Sequence, residues 1–314
     1  MTAAQPTALL ALDWGTTSAR AYRLDAAGRI LDRRAATLGI AHVRNGEFAA
    51  ALDGLLGDWH QLPVQRLACG MIGSRQGWVE APYSECPAAL SALAKAIVHT
   101  QSGELGIVGG LTCRDDAGVP DVMRGEETQV AGLLDGEHDT ALFVQPGTHS
   151  KWTVVIDGAI VAFKSYMTGE AFAVLREHSI LGRLLQGDSP FESESFERGV
   201  RRGMNAAAGG ELLHQIFGAR TLALFGELPA DGIADYLSGV LIGSEVAAGC
   251  AWAGSQGTEL GTPWLLGAPA LCSRYRIALG IAGRAAKMGP PDVAARGLWR
   301  IAVHAGLVAD KDTK

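Results

Sequence analysis

Positive charge is scarce in this chain: 27 lysines and arginines stand against 33 aspartates and glutamates in 314 residues, a formal net charge of −6. Broad binding to a nucleic-acid backbone needs cations clustered along one face, so a small-molecule partner is expected and a nucleic acid is not. Cysteine is scarce too. Cys69, Cys86, Cys113, Cys250 and Cys272 are an odd number, scattered, with no CxxC or Cys/His spacing, which excludes a zinc site and predicts reduced thiols. The opening MTAAQPTALLALDWG has no basic stretch, and its apolar run, Ala8 to Leu12, is too short for a signal peptide or a membrane span. The expectation is a cytoplasmic protein with no membrane partner; a homodimer is left open. Low-complexity tracts and coiled-coil heptads are missing. So are the Walker loop, GxxxxGK followed by Ser or Thr, the dinucleotide motif GxGxxG and the zinc-protease motif HExxH.

What is present is apolar substance and an internal repeat. Hydrophobic residues make up 48% and charged residues 19%, a globular balance. The length exceeds what one core usually organises, so two domains with a cleft between them are expected. From Ala8 the chain reads as strand Ala8–Leu12, Gly/Thr turn Asp13–Thr17, strand Ala19–Leu24, a DAAG turn and strand Arg29–Leu38. From Thr140 the plan returns as strand Ala141–Gln145, turn Pro146–Ser150, strand Lys151–Ile156, the hairpin pair Asp157-Gly158 and strand Ala159–Ser165. Helical stretches follow, Glu47–Gln61 in one half and Gly169–His178 in the other. Two βββαβα units result, an α/β fold of duplicated domains spanning 1–137 and 138–314, with the boundary in the polar segment Asp135–Asp139. The last third is mostly helical, with Asp231–Ala253 and Pro291–Val308 as the longest helices and Trp264–Leu266 as a short strand.

The two Gly/Thr turns carry the chemistry. In Asp13-Trp14-Gly15-Thr16-Thr17, glycine lets the backbone approach phosphate oxygens, N–H groups and hydroxyls donate, and Asp13 can orient hydrated magnesium. Pro146-Gly147-Thr148-His149-Ser150-Lys151 repeats the Gly-Thr pair at the matching place of the second half. Either turn alone is as well read as an ordinary hairpin; the pairing points to a nucleotide. Lys151 suits a phosphate contact, and His149 either touches a phosphate or caps its hairpin.

Through LALDWGTTSARAY the chain resembles the acetate and sugar kinase, chaperone ATPase and actin superfamily. More closely it resembles the bacterial 2-dehydro-3-deoxygalactonokinases, through GMIGSRQGWVEAPY (Gly70–Tyr83), VMRGEETQ (Val122–Gln129), PGTHSKW (Pro146–Trp152), MTGE (Met167–Glu170) and LSGVLIGSEV (Leu237–Val246). The resemblance implies two ribonuclease H-like domains of the actin/hexokinase type. It implies ATP and Mg²⁺ as cofactors, and transfer of the γ-phosphate to the 6-hydroxyl of 2-dehydro-3-deoxy-D-galactonate in galactonate breakdown. It further implies that Leu266-Gly267-Ala268-Pro269-Ala270 is the adenosine-binding turn, which the residues alone read equally as a strand-to-helix connection. Another sugar kinase of the superfamily, or a nucleotide-gated scaffold like actin, are the alternatives; the Cys-rich zinc motif of many N-acetylhexose kinases is missing.

Phosphoryl transfer needs positioning, charge stabilisation and a carboxylate to take the acceptor's proton. Related sugar kinases place a Gly-Asp pair at a helix start before the second phosphate turn, and Gly125-Glu126 matches it with glutamate for aspartate. Glu126 is therefore favoured as base over Glu127, although acidic residues in a first helical turn also simply complement the helix dipole, worth about 0.3–1 kcal/mol. The acid's carboxylate calls for an arginine, and Arg20, Arg75 and Arg124 sit beside the matched motifs, with Ser74 in the same stretch as Arg75. Trp78 and Tyr83 either wall the sugar pocket or belong to the core.

Overall fold

The computed structural model describes residues 6–134, 140–184, 190–209, 211–257 and 259–309. The chain opens with a meander of β1 (Leu9–Trp14), β2 (Ala19–Leu24) and β3 (Ile30–Ala36), then runs through α1 (Phe48–Leu56), β4 (Gln65–Cys69), β5 (Tyr83–Glu85), α2 (Leu90–Lys95), β6 (Val98–His99), β7 (Gly106–Ile107), β8 (Gly110–Arg114), β9 (Pro120–Met123) and α3 (Glu126–Ala131). β1 is almost continuously apolar because it is the inner strand, antiparallel to β2 and parallel to β4. The sheet order is β3-β2-β1-β4-β7-β6, and β5-β8-β9 make a separate small sheet. One face of the large sheet buries Leu10, Leu12 and Trp14 with Leu52, Leu56 and Trp59 from α1 and the single-turn helix after it.

The second half repeats the plan with β10 (Ala141–Gln145), β11 (Ser150–Ile156) and β12 (Ala159–Tyr166), followed by α4 (Thr168–His178), α5 (Ser193–Gly209), α6 (Leu212–Leu224), α7 (Ile233–Gly254), β13 (Trp264–Leu265), α8 (Pro269–Ile281) and β14 (Lys287–Met288). Its sheet order is β12-β11-β10-β13-β14, with β13 parallel to β10 and β14 parallel to β13. Both sheets are thus a meander whose first strand is extended by two parallel strands, with an antiparallel edge strand β6 added in the first, the duplicated α/β arrangement that the repeat predicts. The β11–β12 turn has positive φ at both Asp157 and Gly158 (51° and 73°), as a two-residue hairpin of matching twist requires.

Helix α7 is long and apolar, but most of its side chains are buried. Its glycines explain why. A Cβ on Gly239 or Gly243 would lie 2.2 Å from the carbonyl oxygen of Phe196 or Val200 in α5, and Gly199 and Gly203 of α5 meet α7 in the same way. Two glycine pairs let these backbones nearly touch, which identifies α7 as the core helix of its own unit.

The compact units are Met1–Asp139 with Val155–Phe163 and Pro290–Lys314, and Thr140–Val154 with Lys164–Gly289. This differs from the expected division into 1–137 and 138–314, because the last helix, α9 (Val293–His304), belongs with the first unit. Its apolar face, including Val293, Leu298 and Ile301, packs on α3, β1 and β4. Gly132 sits against the Val293 carbonyl and Gly297 against the Thr128 carbonyl, where an added Cβ would lie 2.3 and 1.9 Å away. The tip of the β11–β12 hairpin joins the same unit through an Ala88–Ile160 bridge and a Cys113 thiol donating to the Phe163 carbonyl at 3.2 Å. The expected boundary segment Asp135–Asp139 lies outside the described residues.

Candidate active site

In the first unit, the turn after β1 is held by its own carbonyls. Gly15 N–H donates to Ser18 O (2.9 Å), and the carbonyls of Gly15 and Thr16 accept from Ile40 N and Ala41 N (both 3.0 Å). With those carbonyls engaged, the exposed Thr16 and Thr17 keep N–H groups that have no backbone partner among the described residues. Gly39 makes this fit possible, since a Cβ there would lie 2.2 Å from Thr16 O. Gly15 is different: an added Cβ meets nothing closer than 3.5 Å and its φ is negative, so the protein's own packing does not demand glycine. The Asp13 carboxylate faces Arg20 Nη1 at 3.4 Å. Burial pushes its pKa up, Arg20 partly offsets this, and the charge of Asp292 adds to the rise. A negative charge short of compensation at the carboxyl end of a parallel strand is where an open α/β sheet receives ligands.

The glutamates arrive at the same strand ends. Cys69, the last residue of β4, lies in register beside Asp13. Next to it, Gly70 (φ 92°) and Gly125 (φ 106°) pack so closely that a Cβ on Gly125 would be 3.1 Å from Gly70 Cα, and one on Gly70 would be 2.8 Å from Trp14 O. This contact brings the start of α3 to the end of β1. Burial drives the Cys69 thiol far up in pKa, and the charges of Asp13, Glu127 and Glu126 push it further, so the thiol stays neutral. Glu126 is half-buried and accepts from Arg124 N–H at 2.9 Å. Glu127 is fully buried, accepting from Gly125 N–H (2.7 Å) and the Thr128 hydroxyl (2.9 Å). Burial first, and then its neighbour Glu126, raises its pKa to about 7.

In the second unit the corresponding turn is fixed by the same devices. Gly169 in α4 stands where Gly39 stands in the first unit: a Cβ would be 2.3 Å from Gly147 O, and Glu170 N–H donates to Thr148 O at 2.9 Å. Gly267 (φ 144°), just after β13, sits against Pro146 O much as Gly70, just after β4, sits against Trp14 O. Ala268 and Pro269 then start α8. Gly147, like Gly15, has open space where a Cβ would go. Beneath the turn, the buried Glu245 of α7 accepts from Trp152 Nε1 (2.9 Å) and from the Tyr275 hydroxyl of α8 (2.6 Å), and Tyr275 also meets Ser150 Oγ at 2.9 Å. Burial raises the Glu245 pKa while these donors oppose the rise. This network was not evident in the sequence, although LSGVLIGSEV contains its acid. An apolar cavity lined by Phe172, Leu241, Ile242 and Leu271 opens beside Gly147.

The remaining predicted residues divide. His149 pairs with Glu170. Lys151 lies in the buried strand β11 and is 6% exposed. Trp78 stacks on Phe48 at 6.1 Å within the core, which favours its packing role over a sugar wall. Arg75 is 82% exposed and pairs with Glu80 at 3.5 Å. Arg124 and Ser74 are buried in the first unit. All five cysteines are free.

The 2-keto-3-deoxy-galactonokinase family matches residues 13–301. A 2-dehydro-3-deoxygalactonokinase of Escherichia coli (strain K12) is 35% identical over 240 residues, 76% of this chain and 79% of the relative. A Rhizobium meliloti (strain 1021) protein named "Probable 2-dehydro-3-deoxygalactonokinase DgoK1" is 37% identical over 281 residues, 86% of this chain and 88% of the relative. A solved structure from Sinorhizobium meliloti, named for the same activity, superposes with a TM-score of 0.84 at 32% identity, covering 94% of this chain and 98% of its own. Component A of an Acidaminococcus fermentans (R)-2-hydroxyglutaryl-CoA dehydratase shares the fold alone, with a TM-score of 0.50 at 13% identity over 95% of this chain and 96% of its own. The chain belongs to the 2-keto-3-deoxy-galactonokinase family.

Proposed function

We propose that the chain transfers the γ-phosphoryl group of ATP to the 6-hydroxyl of 2-dehydro-3-deoxy-D-galactonate, a step of galactonate breakdown. The observation that carries the reading is the meeting of the Asp13–Thr17 turn, Gly70 and the Gly125–Glu127 helix start at the ends of β1 and β4, in a chain of this family. Within the first unit, Thr16 and Thr17 offer N–H groups and hydroxyls suited to phosphate oxygens; within the second unit, the Gly147–Thr148 turn offers groups of the same kind and the Gly267–Pro269 segment suits an adenosine. The hydroxyl oxygen bonds to the γ-phosphorus, the bond from that phosphorus to the bridging oxygen breaks, and ADP leaves. The hydroxyl's proton passes to Glu126, the half-buried glutamate, whereas Glu127 lies too deep to meet an acceptor and instead sets the charge around it.

Magnesium fits the residues present. Asp13 is an under-compensated carboxylate beside the turn, and Mg²⁺ takes one or two carboxylates while keeping water and phosphate ligands. Among the described residues no group of three or more His, Cys, Asp or Glu side chains forms a cage, so Asp13 would hold the ion through water and the nucleotide would supply its other ligands. Neutralising phosphate charge is what the ion contributes.

The test is ADP release from ATP with a panel of sugar acids and neutral sugars, with the product identified by phosphorus NMR. Glu126→Gln is expected to lower kcat by about 10²–10⁴-fold with the fold intact by circular dichroism. An unchanged kcat would remove Glu126 from the proton's path.

A further inference from the structure

Ser74 Oγ, Arg124 Nε and Arg124 Nη1 in the first unit are shut off from water and have no hydrogen-bond partner among the described residues, and Arg124 is the residue whose backbone N–H meets the proposed base. Buried donors without acceptors are rare in folded proteins, because desolvation is then uncompensated. A cation is the most costly group to leave so. The arginine is nevertheless held firmly. Its Nη2 donates to Ala81 O at 2.8 Å, its backbone N–H donates to Glu126 Oε2 at 2.9 Å, and its guanidinium carbon lies 4.3 Å from the centroid of the Tyr83 ring. Gly73 leaves the space beside it, since a Cβ there would come within 3.0 Å of Nη1. The residue after that glycine is Ser74. Two nitrogen donors of Arg124, one residue before the glycine that starts α3, and the Ser74 hydroxyl thus have their acceptors missing among the described residues.

We infer that Arg124 and Ser74 receive the carboxylate end of the acceptor acid, and that they are the residues by which the chain selects an acid over a neutral sugar. The inference rests on the reading of the chain as a sugar-acid kinase and distinguishes among the arginines near the motifs. Arg20 is engaged with Asp13, and Arg75 is a surface residue paired with Glu80. Arg124 is 9% exposed with donors to spare. Tyr83, 42% exposed, lies over the guanidinium. The Arg124 side chain departs from the segment that also presents Glu126, so one end of an extended hexulosonate can sit on Arg124 while the other reaches toward the base.

The experiment compares the 2-oxo acid with its methyl ester as acceptors for the wild type, Arg124→Gln and Ser74→Ala. Truncating one partner of a buried charged pair corresponds to about a 30-fold to 10³-fold loss. Arg124→Gln should therefore raise KM for the acid by that range, leave KM for ATP within about twofold, and handle the ester as the wild type does. Ser74→Ala, which hardly changes shape, should raise KM for the acid about tenfold. A wild-type KM for the acid in both variants overturns the inference, as does an equal loss toward acid and ester. Calorimetric binding of the acid without nucleotide separates this outcome from failure of the kinase reading. If no acid is phosphorylated by the wild type yet the acid binds and Arg124→Gln abolishes binding, the carboxylate site stands and the activity does not.

Discussion

Replacing Gly169 by alanine tests whether the second turn works by its position. The added Cβ would lie 2.3 Å from the Gly147 carbonyl oxygen and 2.9 Å from Thr148 Cα, where ordinary contacts begin at 3.4 Å. Both obstacles are backbone, so no side chain can swing clear, and the turn must retreat by about 1 Å, a misplacement that can reduce the rate about 10²-fold when it affects a group that orients a reactant. The hydrogen bond from Glu170 N–H to Thr148 O transmits the shift, because it ties α4 to the same turn. Gly169→Ala is thus expected to lower kcat/KM for ATP about 10²-fold, read in a continuous ADP-release assay with saturating acid. Overpacking of this kind destabilises by about 1–3 kcal/mol, so thermal unfolding should be followed in parallel to show that the protein remains folded at the assay temperature. Gly39→Ala, with its Cβ 2.2 Å from Thr16 O, should behave alike in the first unit. A folded Gly169→Ala protein with wild-type kcat/KM for ATP would refute the reasoning.

Gly147→Ala makes the complementary case: its Cβ meets nothing within 3.9 Å, so the melting temperature should hold while KM for ATP rises at least tenfold, and an unchanged KM would mean that phosphate does not approach this backbone. Glu127 predicts a pH dependence of stability. Its folded pKa of about 7 lies above the ordinary 4.5, so the native state binds the extra proton; stability is complete below about pH 4.5 and falls as pH rises through 7, by about 3 kcal/mol in all. Glu127→Gln should lose this decline, and urea unfolding at pH 5 and pH 8 would count against the assignment if both proteins showed the same difference.

The strands were the most legible part of the chain. Ala19–Leu24 and Ala141–Gln145 form as their apolar patterns require, and Asp157-Gly158 makes its hairpin, because these signals act within a few residues. What could not be read depends on long-range contact. Gly39 and Gly169 are needed because the chain returns over a turn more than twenty residues earlier, and nothing local marks them beyond a glycine soon after the third strand in both halves. Adjacent helical residues point about 100° apart, so Glu126 and Glu127 face different surroundings; α3 spans six residues, too few for an apolar stripe to say which is buried. Arg124 and Arg75 look alike as letters, and only burial separates them.

The placement of α9 bears on how the protein is made. α3, which presents the glutamates, leans on a helix synthesised some 160 residues later, and the Gly132 and Gly297 contacts admit no substitute for it. During translation the second unit has all its segments available first, while the earlier half waits with one side of its sheet uncovered. The half begun first is the last to be finished, and chemistry can start only once α9 has been delivered.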